Sequence, residues 1–131
     1  GAISAMNQLN DVWRSADGGE TWTEMTGSAA WKDRSGHVCV ALSNDKIVLM
    51  GGFNENFDPM NDVWISNDKG ANWQVLTDNA EWSPRRYHSG VVISNDTILI
   101  MGGWGSLLND VWMLGESTLF NFLPLIMSGT P

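Results

Sequence analysis

Four short segments with strand-like patterning recur along the chain, separated by clusters of Gly, Asn, Asp and Ser. The first is Val38 to Leu42 and, later, Gly90 to Ile93; these lead into Ser43-Asn44-Asp45 and Ser94-Asn95-Asp96. Asn and Asp tolerate the left-handed backbone that a tight hairpin requires. The second, Ile47-Val48-Leu49-Met50 and Ile98-Leu99-Ile100-Met101, is an unbroken apolar run of the kind that a strand covered on both faces shows. It is expected at the centre of its sheet. A Gly pair ends it each time, Gly51-Gly52 and Gly102-Gly103, as it would where a side chain would collide with a neighbouring sheet. The third is Asp62-Val63-Trp64-Ile65. The fourth, Thr21 to Met25 and Asn72 to Leu76, alternates polar and apolar residues as a half-exposed outer strand does. No segment carries helical periodicity.

These segments are copies of one unit. An offset of 51 residues lines up positions 10–53 with 61–104 without a gap, and 21 of the 44 pairs are identical. Asn10-Asp11-Val12-Trp13 falls on Asn61-Asp62-Val63-Trp64, Trp22 and Trp31 on Trp73 and Trp82, and Arg34 and His37 on Arg85 and His88. A third pass starts at Asn109-Asp110-Val111-Trp112, three residues early, and then departs from the pattern. A fixed period near 50 residues with four antiparallel strands per unit predicts an all-β fold of β-propeller blades.

The order Arg34, His37, apolar strand, Gly51-Gly52, Asn61-Asp62-Val63-Trp64 and Trp73 resembles the kelch repeat of kelch and galactose-oxidase-like propellers. Between the third and fourth segments, Ser15-Ala16-Asp17-Gly18-Gly19-Glu20-Thr21-Trp22 resembles the Asp box (BNR repeat) of sialidase-type propellers, and Ser66 to Trp73 matches it with Asn72 in place of the usual Thr. Together the resemblances cover residues 10 to about 114. They imply that Asp17, Trp22, Asp68 and Trp73 build a structural hairpin. A carboxylate there accepts N–H groups of its own turn, Gly supplies positive φ and Trp packs beneath. Arg34 with His37 and Arg85 with His88, recurring at one blade position, are expected to play a part in every blade, such as satisfying backbone carbonyls or packing between blades, and Gly51, Gly52, Gly102 and Gly103 to make close approaches.

Composition narrows the function. Seven basic against fifteen acidic residues give a net charge of −8, which argues against nucleic acid or an anionic membrane as partner. No apolar stretch approaches the ~20 residues of a membrane-spanning helix. The single Cys39 excludes an intrachain disulfide and reads as a core residue. A galactose-oxidase-like copper site needs two Tyr, and only Tyr87 is present. No Cys cluster or His spacing supports a metal, so no cofactor is expected. A sialidase centre gathers arginines, a Tyr and an acid from the whole ring, and nothing converges Arg14, Arg34, Arg85, Arg86 and Tyr87 in that way.

Counting segments gives about two and a half blades, an incomplete ring unless several copies or further blades close it. Residues 1–9 read as an N-terminal extension, 10–116 as the blades, and 117–131 as an apolar tail that departs from the repeat. That tail supplies either a makeshift fourth strand as far as Leu123 or an apolar strip that seeks a partner. In one trimeric scheme the C-terminal first and second strands pair with the N-terminal strands of the next copy. Localisation is not readable from the chain.

The function expected is a non-catalytic protein-binding or scaffolding propeller segment, possible partners being a second copy, further blades, a protein or a glycan. The alternative is part of a carbohydrate-active, sialidase-like or lectin propeller. The candidate contact surface comprises the loops after the Gly pairs, with Phe53, Asn54, Phe57 and Trp104, beside Arg34, Arg85, Arg86 and Tyr87. Aromatic residues next to arginine are characteristic of binding hot spots.

Overall fold

The computed structural model describes residues 7–105, 108–117 and 121–127. It contains ten strands: β1 (Val12–Arg14), β2 (Thr23–Thr26), β3 (Val38–Ala41), β4 (Ile47–Met50), β5 (Val63–Ser66), β6 (Gln74–Thr77), β7 (Ser89–Ile93), β8 (Thr97–Met101), β9 (Val111–Ser117) and β10 (Asn121–Met127). They form a two-stranded sheet β1-β2 and two four-stranded antiparallel sheets, β3-β4-β5-β6 and β10-β9-β8-β7. These are a half-blade, a central blade and a C-terminal blade. The sheets do not close into a ring.

The apolar run Ile47 to Met50 is the second of the four strands, hydrogen-bonded to β3 on one side and β5 on the other. Its alternate residues serve two interfaces. Val48 and Met50, with Val40, Val63 and Ile65, pack against Ile98, Ile100, Trp112 and Leu114 of the C-terminal blade around the fully buried Trp82. Ile47 and Leu49 face the other way, into a smaller cluster with Ala29, Trp31, Trp73 and Val12. A continuous apolar strand is therefore what a sheet sandwiched between two sheets requires. The Asn44 and Asn95 turns adopt φ of 59° in both copies, which lets each hairpin close without splaying its strands.

The fourth strands begin later than the sequence pattern suggests, at Thr23 and Gln74, because Trp22 and Trp73 belong to the preceding turn. Their indole N–H groups donate back to the Gly19 and Gly70 carbonyls at 3.1 and 3.0 Å.

Two expectations change. Cys39 lies on the exposed face of β3, towards the half-blade, and not in a core. That face is uncovered because the half-blade has only two strands. The flanking walls nonetheless desolvate the thiol enough to push it up to about 11. Residues 121–127 form a strand that runs through Pro124 to Met127, four residues beyond Leu123, in register with β9 from Asn121↔Ser117 to Met127↔Val111. Pro lacks the N–H that a central strand would donate, so it suits the edge position that β10 holds. The third pass thus completes a blade. It also leaves β8 paired on both edges, by β7 and β9, so the trimeric exchange would first have to displace β9.

Candidate binding face

The loop from β4 to β5 is built around Asn54. Its side-chain oxygen accepts the N–H groups of Asn56 and Asp58 at 2.9 and 3.1 Å, and its own N–H donates to the Asp58 carbonyl at 3.1 Å. Gln8 donates to the Asn54 carbonyl at 3.1 Å. Asn54 is therefore committed to loop shape. Phe53 is buried, bridged to Ser35 and Pro59, and forms the floor of an aromatic cluster.

Phe57 stacks on that floor at 5.7 Å between centroids and Tyr87 meets it edge-on at 5.6 Å. The Arg86 guanidinium sits 4.7 Å above the Phe53 ring and 5.8 Å from Tyr87, close enough for cation–π attraction. Phe57 and Tyr87 both have positive φ, 63° and 54°, a conformation that costs on the order of 1 kcal/mol for a bulky residue. Tyr87 is held in it by donating its N–H to the Gly36 carbonyl at 2.8 Å, and it remains 62% exposed. Trp104, also exposed, is fixed by a reciprocal pair of backbone bonds with Arg86 at 2.7 and 2.8 Å. Beside the loop lies a polar recess of about 270 Å³ lined by Lys32, Asp33, Asn54, Glu55 and Asn56.

Arg34 and Arg85 occupy a different place. They are 3% and 0% exposed, and each directs both arms at a carboxylate, Arg34 at Asp62 and Arg85 at Asp110, with every contact 2.8 Å. Each also donates to the carbonyl of the first glycine of its pair, Gly51 at 2.9 Å and Gly102 at 3.0 Å. The same carboxylates accept Trp64 and Trp112 indole N–H groups at 2.7 Å. Burial works against the Asp62 carboxylate, but Arg34 more than offsets it and holds the carboxyl below its ordinary range. Asp110, hydrogen-bonded by Arg85, falls to about 2. The carboxylate partners Asp62 and Asp110 were not singled out from sequence, although both stand in the repeated Asn-Asp-Val-Trp.

His88 is buried against Trp82, with 6.1 Å between ring centroids. Burial, then the charges of Arg85 and His37, push its imidazole down to about 4. His37 keeps much of its surface exposed beside the half-blade, yet partial desolvation by the atoms around it, then the charge of Arg34, lowers it too. The glycine pairs do two jobs. A Cβ on Gly51 would stand 2.8 Å from the Arg85 carbonyl of the next blade, and one on Gly52 2.7 Å from the Ser35 carbonyl of its own. Gly103 would meet the Arg86 carbonyl at 2.8 Å, whereas Gly102 has only the Leu108 carbonyl, at 3.5 Å.

The β1–β2 and β5–β6 turns lie at the opposite end of the strands. Asp17 accepts the Thr21 hydroxyl and N–H and the Ser15 hydroxyl, which together lower it to about 2. Asp68 accepts the side-chain and backbone N–H groups of Asn72 and the Ser66 hydroxyl, which hold its carboxyl below the ordinary range. These bonds are consumed within each turn, away from the aromatic face.

Among the described residues no group of three or more His, Cys, Asp or Glu could hold a metal ion, and no helix is long and apolar enough to cross a membrane.

The family model for the DUF6242 beta propeller domain matches residues 1–115. Among curated proteins, the chain is similar to Kelch domain-containing protein 1 of Mus musculus, at 33% identity over 72 residues, covering 55% of this chain and 18% of that protein. It is 30% identical over 111 residues to an F-box/kelch-repeat protein of Arabidopsis thaliana, covering 76% of this chain and 23% of that protein. It is 26% identical over 117 residues to the flagellar outer arm dynein alpha chain of Chlamydomonas reinhardtii, covering 87% of this chain and 3% of that one. The chain thus spans less than a quarter of each of these relatives.

Proposed function

The chain belongs to the DUF6242 beta propeller domain family, with repeats of the kelch type, and on that footing we propose that it is a non-catalytic protein-interaction segment. It binds a partner protein through Phe57, Arg86, Tyr87 and Trp104. One observation carries this reading: two bulky aromatic residues, Phe57 and Tyr87, are held at positive φ on the surface. That backbone cost brings no core burial for Tyr87, so it is offset elsewhere, and a preorganised ring over a rigid blade loses little entropy when a partner covers it. Arg86 beside the rings favours a partner segment with an acidic and an aromatic residue together.

In this reading the repeat region runs over 10–116, and 121–127 is the strand that pairs with β9 at the edge of its last blade. The turns around Asp17 and Asp68 act in folding. Assembly of copies into a ring is a further reading, which requires the half-blade to gain two strands.

A random peptide library displayed on phage, selected on the full chain and counter-selected on an Arg86→Ala/Tyr87→Ala variant, tests the proposal. Recovery of peptides that bind the former and not the latter is expected. Equal binding to both would place recognition elsewhere. The exposed rings of Tyr87 and Trp104 also have the form on which sugars stack, and glycan binding lost in Tyr87→Ala and Trp104→Ala would favour the carbohydrate alternative.

A further inference from the structure

The central and C-terminal blades build the same backbone frame at the aromatic face and dress it with different side chains. Ser35 exchanges backbone hydrogen bonds with Phe53 at 3.1 and 2.9 Å, and Arg86 does the same with Trp104 at 2.8 and 2.7 Å. These are matching positions at the repeat offset of 51, as are Gly36 and Tyr87. In both copies the residue after the paired one is held in left-handed backbone, with φ of 65° for Gly36 and 54° for Tyr87. Glycine enters that region freely and tyrosine does not. The central blade thus carries the residue that the frame favours, and the C-terminal blade departs from it.

That departure is coupled to the glycine of the blade before it. Tyr87 donates its N–H to the Gly36 carbonyl at 2.8 Å, and its ring lies against the same residue. A Cβ on Gly36 would stand 3.1 Å from both Cδ1 and Cε1 of Tyr87 and 3.2 Å from Cε1 of Phe53. Carbon atoms pack best at roughly 3.5–4.0 Å, so the space is already taken. The two rings, 5.6 Å apart and edge to face, converge on bare backbone. Gly18 is the contrast, with φ of 72° and nothing within 4 Å of where its Cβ would be.

We infer that Gly36 is a positioning residue of the binding face: its bare backbone is the seat of Tyr87, and a side chain there lifts the ring off Phe53 and away from Arg86. The consequence for binding rests on the interaction proposed above, whereas the seat itself rests on geometry alone. The seat also limits where such a face can form. An Arg-Tyr pair in one blade requires Gly at the tyrosine's own position in the blade before it, with an aromatic ring following that blade's second strand. Gly36→Tyr would start a second side chain 3.1 Å from the ring of the first, so two neighbouring blades cannot both carry the pair in this arrangement. A partner therefore meets one face made from two unlike copies of the repeat, and not a row of identical ones.

Tyr87 is the single tyrosine, so a ring-fluorinated tyrosine incorporated into the whole chain gives a fluorine NMR signal that reports this ring alone. Asn tolerates left-handed backbone better than most residues with a side chain, so Gly36→Asn fills the seat at little backbone cost, and Gly18→Asn is its match in open space. The signal is expected to move towards that of the urea-unfolded chain in Gly36→Asn and to stay in place in Gly18→Asn. An unmoved signal in Gly36→Asn overturns the inference. Urea denaturation decides the matter even for a variant too weak to fold. Gly36→Asn should lower the midpoint more than Gly18→Asn does, and the excess should vanish in a Tyr87→Gly background, where no ring occupies the seat. An equal loss in both backgrounds, unfolding in both included, overturns the inference. Peptides selected to bind through Arg86 and Tyr87 should lose about tenfold in affinity to Gly36→Asn and nothing to Gly18→Asn. Unchanged affinity with a displaced ring overturns the positioning role, whereas a displaced ring with no peptide recovered overturns the interaction reading and leaves the seat standing.

Discussion

Arg34 and Asp62, 28 residues apart in the chain, meet through two parallel 2.8 Å hydrogen bonds, with the guanidinium side chain wholly out of water and the carboxylate 15% exposed. The pair ties the segment that leads into β3 to the start of β5, and the third contact, to the Gly51 carbonyl, fixes the end of β4. Arg85 and Asp110 repeat the arrangement across β7, β8 and β9. Each four-stranded blade is thereby fastened at one end by a buried cation whose desolvation is offset only while all its acceptors are present.

Removing one partner should therefore cost more than the pair is worth. Asp62→Asn leaves Arg34 charged, buried and short of its counter-ion, and should destabilise by about 3 kcal/mol in urea denaturation. Arg34→Lys should also cost about 2 kcal/mol or more, since an ammonium cannot reproduce the two-armed geometry. A loss under about 1 kcal/mol for Asp62→Asn would mean that water, not Asp62, satisfies the guanidinium.

The glycine pair gives a second expectation. Gly52 has φ of 98° and no room for a Cβ beside the Ser35 carbonyl, so Gly52→Val should destabilise by more than about 1 kcal/mol. Gly102 is the contrast, with φ of 63° but no contact closer than 3.5 Å. Gly102→Ala should cost only the backbone term, about 1 kcal/mol. Equal melting losses for Gly51→Ala and Gly102→Ala would contradict the blade-to-blade contact that Gly51 makes and Gly102 lacks.

His88 makes stability pH-dependent in a defined window. Its folded value of about 4 lies below the ordinary 6.5, so on acidification the unfolded chain takes up a proton before the folded one does. Stability should fall as pH drops from about 6.5 towards 4, by on the order of 3 kcal/mol at most from this group, and the His88 contribution should be spent near its folded value. Asp62 and Asp110 contribute little there, because the ordinary 3.8 of the unfolded chain and the lowered folded values both lie below that window. His88→Gln should flatten the slope, and equal slopes in variant and parent would refute the assignment.

The blade strands were legible because each obeys a local rule. An apolar run with turn residues on both sides marks Ile47 to Met50 as a central strand whatever surrounds it, and a second copy at fixed offset sets the register. Arg34 and Arg85 were harder. Their recurrence marked them as blade residues, yet an arginine next to surface loops reads equally as exposed until the carboxylate 28 or 25 residues downstream is seen to face it. Cys39 was misread for a related reason: its apolar neighbours imply a core, but only the absence of a strand pair opposite decides whether its face is covered. The positive φ of Phe57 and Tyr87 left no mark in sequence, because neither is a residue type that favours it.

Trp22 and Trp73 occupy the same position in successive repeats and should respond differently to truncation. Trp73 is 8% exposed and packs on Trp31, while Trp22 is 58% exposed. Trp73→Ala should cost about 3–5 kcal/mol, and Trp22→Ala about 0.5 kcal/mol or less. Comparable losses in thermal unfolding would mean that something already covers Trp22.

The last strand is tested by removing it. β10 pairs with β9 along its whole length, from Asn121↔Ser117 to Met127↔Val111, so deleting residues 118–131 uncovers a seven-residue edge, Val111 to Ser117. Unpaired backbone in a strand of that length recruits other chains. If β10 completes the blade, the shortened protein should melt at lower temperature and gain mass with concentration in light scattering. If residues 118–131 are instead an association surface, the deletion should lower the mass of the parent and leave melting intact. The two readings move mass in opposite directions, so one series across concentration separates them. The position of Pro124 favours the first: a residue without an N–H is compatible with the outermost strand of a finished sheet and a poor platform for a further one.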